Sequence, residues 1–250
     1  MKRMKSQGTL LVLAAAMSWC AGAYAIDAQE ILAATDQARG GSLPGTEWGI
    51  KMTTVDPDNQ QVREMLVQAQ GDNSMATTVS PPRMTGGRML QVGRNMWYTR
   101  PELRKPISIS SRQKLVGPAA NGDIAATNYM SNYTATLLRE EKIGDEDMYV
   151  LNLIANNKGV TYDRIVYWVS KSRQVAVKAD YYTVSGMLFK SAVFEYGNDV
   201  EFRGKRIPFV SKMTITDEIN KGSYSVLEYH DVRLKPLSAS DFSVAQMMEY

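Results

Sequence analysis

Apolar and polar residues alternate along most of this chain, but one helix-length segment comes first. In "DAQEILAATDQARGG", Asp27 can cap a first turn with Glu30 three residues on, and Gly40-Gly41 end the segment. Ile31, Leu32, Thr35 and Ala38 share one face, so the predicted helix rests on an apolar surface. Beyond it the period drops to two. "EWGIKMTTV" puts Trp48, Ile50 and Met52 on one side and gives way to the turn "DPDN". "QVREMLVQAQ", "SMATTVS", "GRMLQVG" and "NMWYT" follow at short spacing, and then residues 111–133 form an irregular stretch rich in Gly, Ala and Asn. Strand patterning resumes with "TATLLREEKI", "MYVLNLIA", "RIVYWVS", "VAVKADYYTV", "MLFKSAVFEY", "IPFVSKMTIT" and "SYSVLEYHDVRL". Hairpin-length connections make these eleven or twelve strands antiparallel neighbours in one meandering sheet, a mainly β fold.

The two faces of that sheet differ. Val175, Val177, Ala179 and Tyr181 alternate with Ala176, Lys178, Asp180 and Tyr182, and Phe209, Met213 and Ile215 alternate with Lys212, Thr214 and Thr216. One face is therefore dry and the other wet. Strands twist, and open sheets of more than ~10 strands rarely stay flat, so the dry face becomes the inside of an incomplete barrel. Few helical residues are available to fill it, and an under-filled apolar interior binds ligands.

Charge and composition change the picture at the N-terminus. "MKRMK", the short apolar run "TLLVLAAAM" and "AYA" ending at Ala25 have the layout of a cleaved secretory signal, too short to span a bilayer. Trp19 before Cys20 is not the small residue that lipid attachment requires, so residues 26–250 are expected as one soluble domain. Removing Lys2, Arg3 and Lys5 from the 29 basic residues leaves 26 against 26 acidic ones. A formally neutral chain offers no general nucleic-acid surface. The single cysteine goes with the signal, which removes disulfides, thiolate metal sites and cysteine nucleophiles together.

Catalytic chemistry finds little support. His230 is the one histidine and sits mid-strand, and no G-x-S-x-G elbow, phosphate loop, HExxH or EF-hand spacing occurs. The acids Asp145, Glu146 and Asp147, like Asp56 and Asp58, fall in predicted turns, where solvation explains them. No enzyme activity, metal or cofactor is expected. Methionine and tryptophan say more. Met52, Met65, Met89, Met96, Met130, Met187 and Met213 read either as core filler or as the flexible, polarizable lining of a cavity for variable apolar partners. The stretch Arg100, Arg104, Lys105, Arg112 and Lys114 holds one acid, Glu102, and reads either as a solvated loop or as a cavity rim that docks an acidic partner face or lipid headgroups.

The segments "KMTTV", "GGRMLQVGRNMWYTRPELRKPISIS", "NGDIAATNY", "KGVTYDRIVYWVSKSRQVAVKADYYTVSGMLFKSAVF" and "GKRIPFVSKMTITD" resemble the outer-membrane lipoprotein-sorting family, relatives of the periplasmic carrier LolA, over roughly residues 28 to 235. The resemblance implies an open half-barrel of about eleven strands with helical plugs, acyl chains bound inside, and Trp97 and Pro101 in the family's aromatic-strand-then-proline element. The apolar candidates for cargo contact are then Trp48, Ile50, Met52, Met89, Met96, Trp97, Tyr98, Trp168 and Met213. Arg100, Arg104, Lys105, Arg112 and Lys114 are the candidates for partner docking. The implied role is a monomeric periplasmic carrier of a Gram-negative cell that shields acylated lipoprotein or lipid. It would work between an inner-membrane transporter, RND-type exporters included, and an outer-membrane acceptor. The alternative is a lipid-binding or sensing partner of such an exporter or of an envelope-stress regulator.

Overall fold

The computed structural model describes residues 27–125 and 128–249. The expected export segment, Cys20 included, lies outside the described residues. The chain enters through helix α1 (Ala28–Gln37), where the Asp27 carboxylate accepts the N–H groups of Gln29 at 2.8 Å and Glu30 at 3.3 Å. Such a cap satisfies donors that the first turn leaves open. Leu32, Thr35 and Ala38 are buried beneath the helix, the face that the apolar spacing marks.

Strands β1 (Thr46–Asp56), β2 (Asn59–Gln70), β3 (Asn73–Ser80), β4 (Arg88–Val92), β5 (Asn95–Thr99) and β6 (Ile107–Ile109) form a first antiparallel meander. After a crossing segment come β9 (Tyr133–Ile143), β10 (Glu146–Ala155), β11 (Arg164–Ser170), β12 (Ala176–Tyr182), β13 (Leu188–Phe202), β14 (Lys205–Asp217) and β15 (Tyr224–Leu234), a second meander. The two join where β1 pairs with β15, from Thr46 opposite Leu234 to Val55 opposite Tyr224. The result is one curved sheet of thirteen strands with β6 and β9 at its edges, not closed into a barrel.

All twelve patterned segments are strands, and the thirteenth is the short β6. β5 ends at Thr99, two residues before Pro101, but after Pro106 the chain returns and sets Ile107 opposite Tyr98 and Ile109 opposite Met96. The irregular stretch holds a small ribbon, β7 (Lys114–Val116) with β8 (Ala119–Ala120), and the short helix α2 (Asn121–Ala125).

The main core lies on the concave face. Trp48, Ile50, Met52, Tyr167, Tyr181, Phe209 and Met213 meet Leu32 of α1 and Ala119, Ile124, Tyr129 and Tyr133 of the crossing segment. Two satellite clusters lie on the other face, and they correct two expectations. Trp97 packs with Met75, Leu90, Phe242 and Met247, and Trp168 with Met148, Val150 and Val166, so neither points into the hollow. The reason is strand parity: Met96 and Tyr98 point in, so Trp97 between them points out. Near Trp168, a register shift opposite Ala176 makes Val177 the extra residue of a bulge. Ala176, Ala179 and Tyr181 consequently all reach the core, where unbroken alternation puts Ala176 on the opposite face.

The satellite around Trp97 exists because the C-terminal tail folds back over it. Helix α3 (Val244–Met248) lays Met247 on this patch, and Arg88 donates to the carbonyls of Gln246 at 3.1 Å, Met247 at 3.3 Å and Glu249. A cation on the last carbonyls of a helix satisfies acceptors that the final turn leaves open.

Candidate functional site

The mouth of the hollow is crossed by residues 110–125, a strap held down at several points. Arg112 donates twice to the Asp163 carboxylate, both contacts at 2.7 Å, and Ser111 donates to the carbonyl of Gly159 at 2.9 Å. Tyr162 donates to Asp123 at 2.6 Å, and the hydroxyl of Tyr133 in turn donates to the carbonyl of Tyr162. Where the strap presses on its neighbours it uses glycine. A Cβ on Gly117 would lie 2.2 Å from the Thr54 side chain, and one on Gly122 1.8 Å from that of Thr161. No L side chain fits such spaces.

Two cavities flank the strap. The first, about 260 Å³, opens at the β2–β6 end of the concave face, between Met65, Met84, Met89, Tyr98, Ile109 and Leu115. Arg63, Gln113, Lys114 and Asn121 supply its polar wall. The second, about 590 Å³ and more open, runs between Tyr162, Tyr182, Val184 and Phe189, with Arg112 and Lys190 at its side. Lys190 holds its ammonium 5.3 Å from the Tyr162 ring centre and 5.6 Å from that of Phe189, with Asp123 at 4.0 Å. A third hollow of about 20 Å³, where Met96 meets Tyr129 and Tyr133, has room for little more than one water.

The candidate residues therefore separate. Met89 and Tyr98 line the first cavity, and Met96 the smallest hollow. Trp48, Ile50, Met52 and Met213 point inward but are wholly buried core beneath α1 and the strap. Trp97 and Trp168 face outward. Among the basic candidates, Arg100, Arg104 and Lys105 stand exposed on the β5–β6 loop, Lys114 lines the first cavity, and Arg112 is tied to Asp163. Arg63, Met84, Ile109 and Leu115 belong to this lining although they are not among the sequence candidates, and Met65, which the sequence alone could equally make core filler, joins them. For Arg63 and Met65 the signal was available, because β2 alternates and both share the face of its inward residues.

Beneath the cavities lies a buried polar pair. Asp36 accepts the N–H of Met130 at 2.7 Å, and burial pushes its pKa up to about 7 against that bond and the charge of Arg39. Arg39, also buried, places its guanidinium 4.4 Å from the ring centre of Tyr129. Remote from this region, Glu146 is held down at about 2 by Arg173 and Ser170, so this predicted turn acid is a structural ion-pair partner. His230 is exposed and bonds to Asp231 at 2.8 Å. Among the described residues no three His, Cys, Asp or Glu side chains gather as a metal site would require, and no helix is long and apolar enough to cross a membrane.

Comparisons with known proteins agree with this architecture. A family model described as "-like: Uncharacterized protein" matches residues 70–249. The comparison with curated proteins finds no match. Among solved structures, an outer membrane lipoprotein-sorting protein domain from Vibrio parahaemolyticus superposes with a TM-score of 0.74 at 22% identity, over 89% of this chain and 98% of that one. A DUF1329 family protein from Desulfovibrio piger gives 0.73 at 22% identity, over 88% and 97%. At these identities the two show the fold alone. A LolA superfamily protein from Nitrosomonas europaea gives 0.78 at 34% identity, over 88% of this chain and 98% of its own. With that identity across nearly the whole of the relative, and with the same half-open sheet, this chain belongs to the LolA superfamily.

Proposed function

We propose that the protein is a non-enzymatic carrier in the periplasm. It loses residues 1–25 on export and shields hydrophobic, acylated cargo, lipoprotein or lipid, on its way toward the outer membrane. The observation that carries this reading is the cavity bounded by Met65, Met84, Met89, Tyr98, Ile109 and Leu115, an apolar hollow on the concave face that the chain's own side chains leave open. Capture is driven by burial: each shielded CH₂ contributes ~0.8 kcal/mol, so ten methylenes supply ~8 kcal/mol before ordering costs. At about 260 Å³ the cavity lies just under the ~300–1,000 Å³ of small-ligand pockets. A long acyl chain therefore needs the methionine walls to repack, which their unbranched side chains allow, or the strap to yield toward the second cavity.

The basic loop belongs to the same reading. Arg100, Arg104 and Lys105 stand beside the cavity mouth and would meet the membrane-side donor or acceptor, an inner-membrane transporter among them. Native mass spectrometry of protein recovered from the cell envelope tests the proposal. Adducts with the masses of lipids or lipopeptides are expected, displaced by a fluorescent fatty acid. Protein that is uniformly empty, and ignores both lipopeptides and fluorescent fatty acids, would end the carrier reading.

A further inference from the structure

Arg63 stands out among the arginines of this molecule. Arg112 is matched by Asp163, Arg173 by Glu146, Arg139 by Glu141 and Arg233 by Glu47. Arg63 is half-buried in β2, pointing to the concave side with Met65, and it forms part of the wall of the first cavity. No ion pair joins it to a described residue, and no described carboxylate shapes its electrostatic surroundings. Its pKa is lowered by burial first and then by the like charge of Arg83, with only Tyr98 acting the other way. A cation held in a partly desolvated apolar wall is costly unless it is paired. Folding has placed two guanidiniums near one another, one of them inside a cavity whose remaining surface is mostly methionine, isoleucine, leucine and tyrosine. An anion supplied by a ligand would complete the pairing.

We infer that this cavity takes an amphiphile with an anionic headgroup, a carboxylate or phosphate. The head would seat on Arg63 at the mouth, and the apolar tail would run along Met65, Met89, Ile109 and Leu115. The inference rests on the carrier reading and narrows it: an ionised lipid is preferred over a neutral acylated group. Arginine suits this role because its planar fork meets a carboxylate or phosphate with two parallel hydrogen bonds. The neighbouring Arg83 and Lys114 add positive potential without having to touch the ligand.

The test is displacement of a fluorescent fatty acid by hexadecanoate, hexadecanol and inorganic phosphate, on wild type, Arg63→Met and Arg63→Lys. Circular dichroism and thermal melts confirm that each variant is folded. Wild type should bind hexadecanoate about tenfold or more tighter than hexadecanol, the scale of one charge-assisted hydrogen bond. Arg63→Met should lose that preference, its affinity for hexadecanoate falling to the level of its affinity for hexadecanol, and Arg63→Lys should recover part of it. Equal affinity for acid and alcohol in wild type overturns the inference, as does a preference that survives Arg63→Met, and either result leaves the carrier reading standing. Displacement by inorganic phosphate alone overturns it in favour of a free-anion site. Failure of every long-chain ligand to bind removes the carrier reading itself.

Discussion

Asp36 sits in the last turn of α1 with one carboxylate oxygen on the N–H of Met130 and the other buried without a hydrogen-bond partner. That second oxygen is where a proton would reside. With a folded pKa of about 7 against an ordinary 3.8, the native state holds a proton that the unfolded chain has released. The stability contributed by the neutral acid is full below about pH 4 and is lost as pH rises through 7. Asp36→Asn keeps an acceptor for Met130 and has no charge to bury. It should match wild type at low pH and exceed it by a few kcal/mol above pH 8, in denaturant titrations across that range. A constant difference at every pH would show that Asp36 does not titrate in the native state. Nothing in "ATDQARGG" marks Asp36 or Arg39 as interior residues, because a polar residue ending a helix ordinarily faces water. They are buried here because residues 128–133, remote in sequence, close over them. The inward positions of Met89, Met96 and Tyr98 were legible from strict alternation. The outward faces of Trp97 and Trp168 required reading parity above hydrophobicity, and large aromatics invite the opposite choice.

At the level of elements, the strands were legible because alternation and turn residues are local signals, and twelve segments needed nothing more. The strap was not. Residues 110–125 have no apolar period, and their order comes from distant partners: Asp163, Gly159, Tyr162 and Thr161. β6 escaped notice for a related reason, since three residues between Pro106 and Ser110 gain strand geometry only by pairing with β5. Because side-chain anchors hold the strap where a ladder of backbone bonds holds the sheet, and Arg112–Asp163 among them is partly exposed, it should loosen before the sheet does. The Arg112–Asp163 pair has side chains about one-third exposed, so it adds only ~1 kcal/mol or less to global stability. Arg112→Ala is therefore expected to leave the melting temperature nearly unchanged. Amide exchange in residues 110–125 should accelerate, and fatty-acid uptake should quicken with it if the strap limits entry. Exchange in the strap that stays as slow as in wild type would show that Arg112 does not hold it.

For the whole molecule, the decisive feature is an asymmetry of charge around the mouth. Alternate loops of the two meanders share one end of the curved sheet, those after β1, β3, β5 and β14 among them, but those loops are not alike. The β3–β4 loop, the β5–β6 loop and the strap carry Arg83, Arg100, Arg104, Lys105, Arg112 and Lys114 against Glu102 and the buried Asp123. The β1–β2 turn and the β14–β15 loop carry Asp56, Asp58, Asp217 and Glu218 against Lys221. The loops thus differ in sign, with a positive edge beside the cavity and acidic turns at β1–β2 and β14–β15. The exposed side chains of Val79 and Ile107 flank the positive edge, each about half accessible to solvent. Exposed rim charges act on encounter more than on the affinity of a ligand sealed within, since surface fields steer approach and are screened by salt. Arg104→Glu with Lys105→Glu should therefore leave the equilibrium affinity for a fluorescent fatty acid unchanged. Transfer of that acid from the protein to vesicles of equimolar phosphatidylglycerol and phosphatidylcholine should slow. The gap from wild type should close as salt rises, and it should be small with phosphatidylcholine alone. Transfer that is equally fast for both proteins on anionic vesicles at low salt would mean that delivery does not use the basic loop. A drop in fatty-acid affinity would instead mean that the two residues belong to the cavity wall and not to its approach.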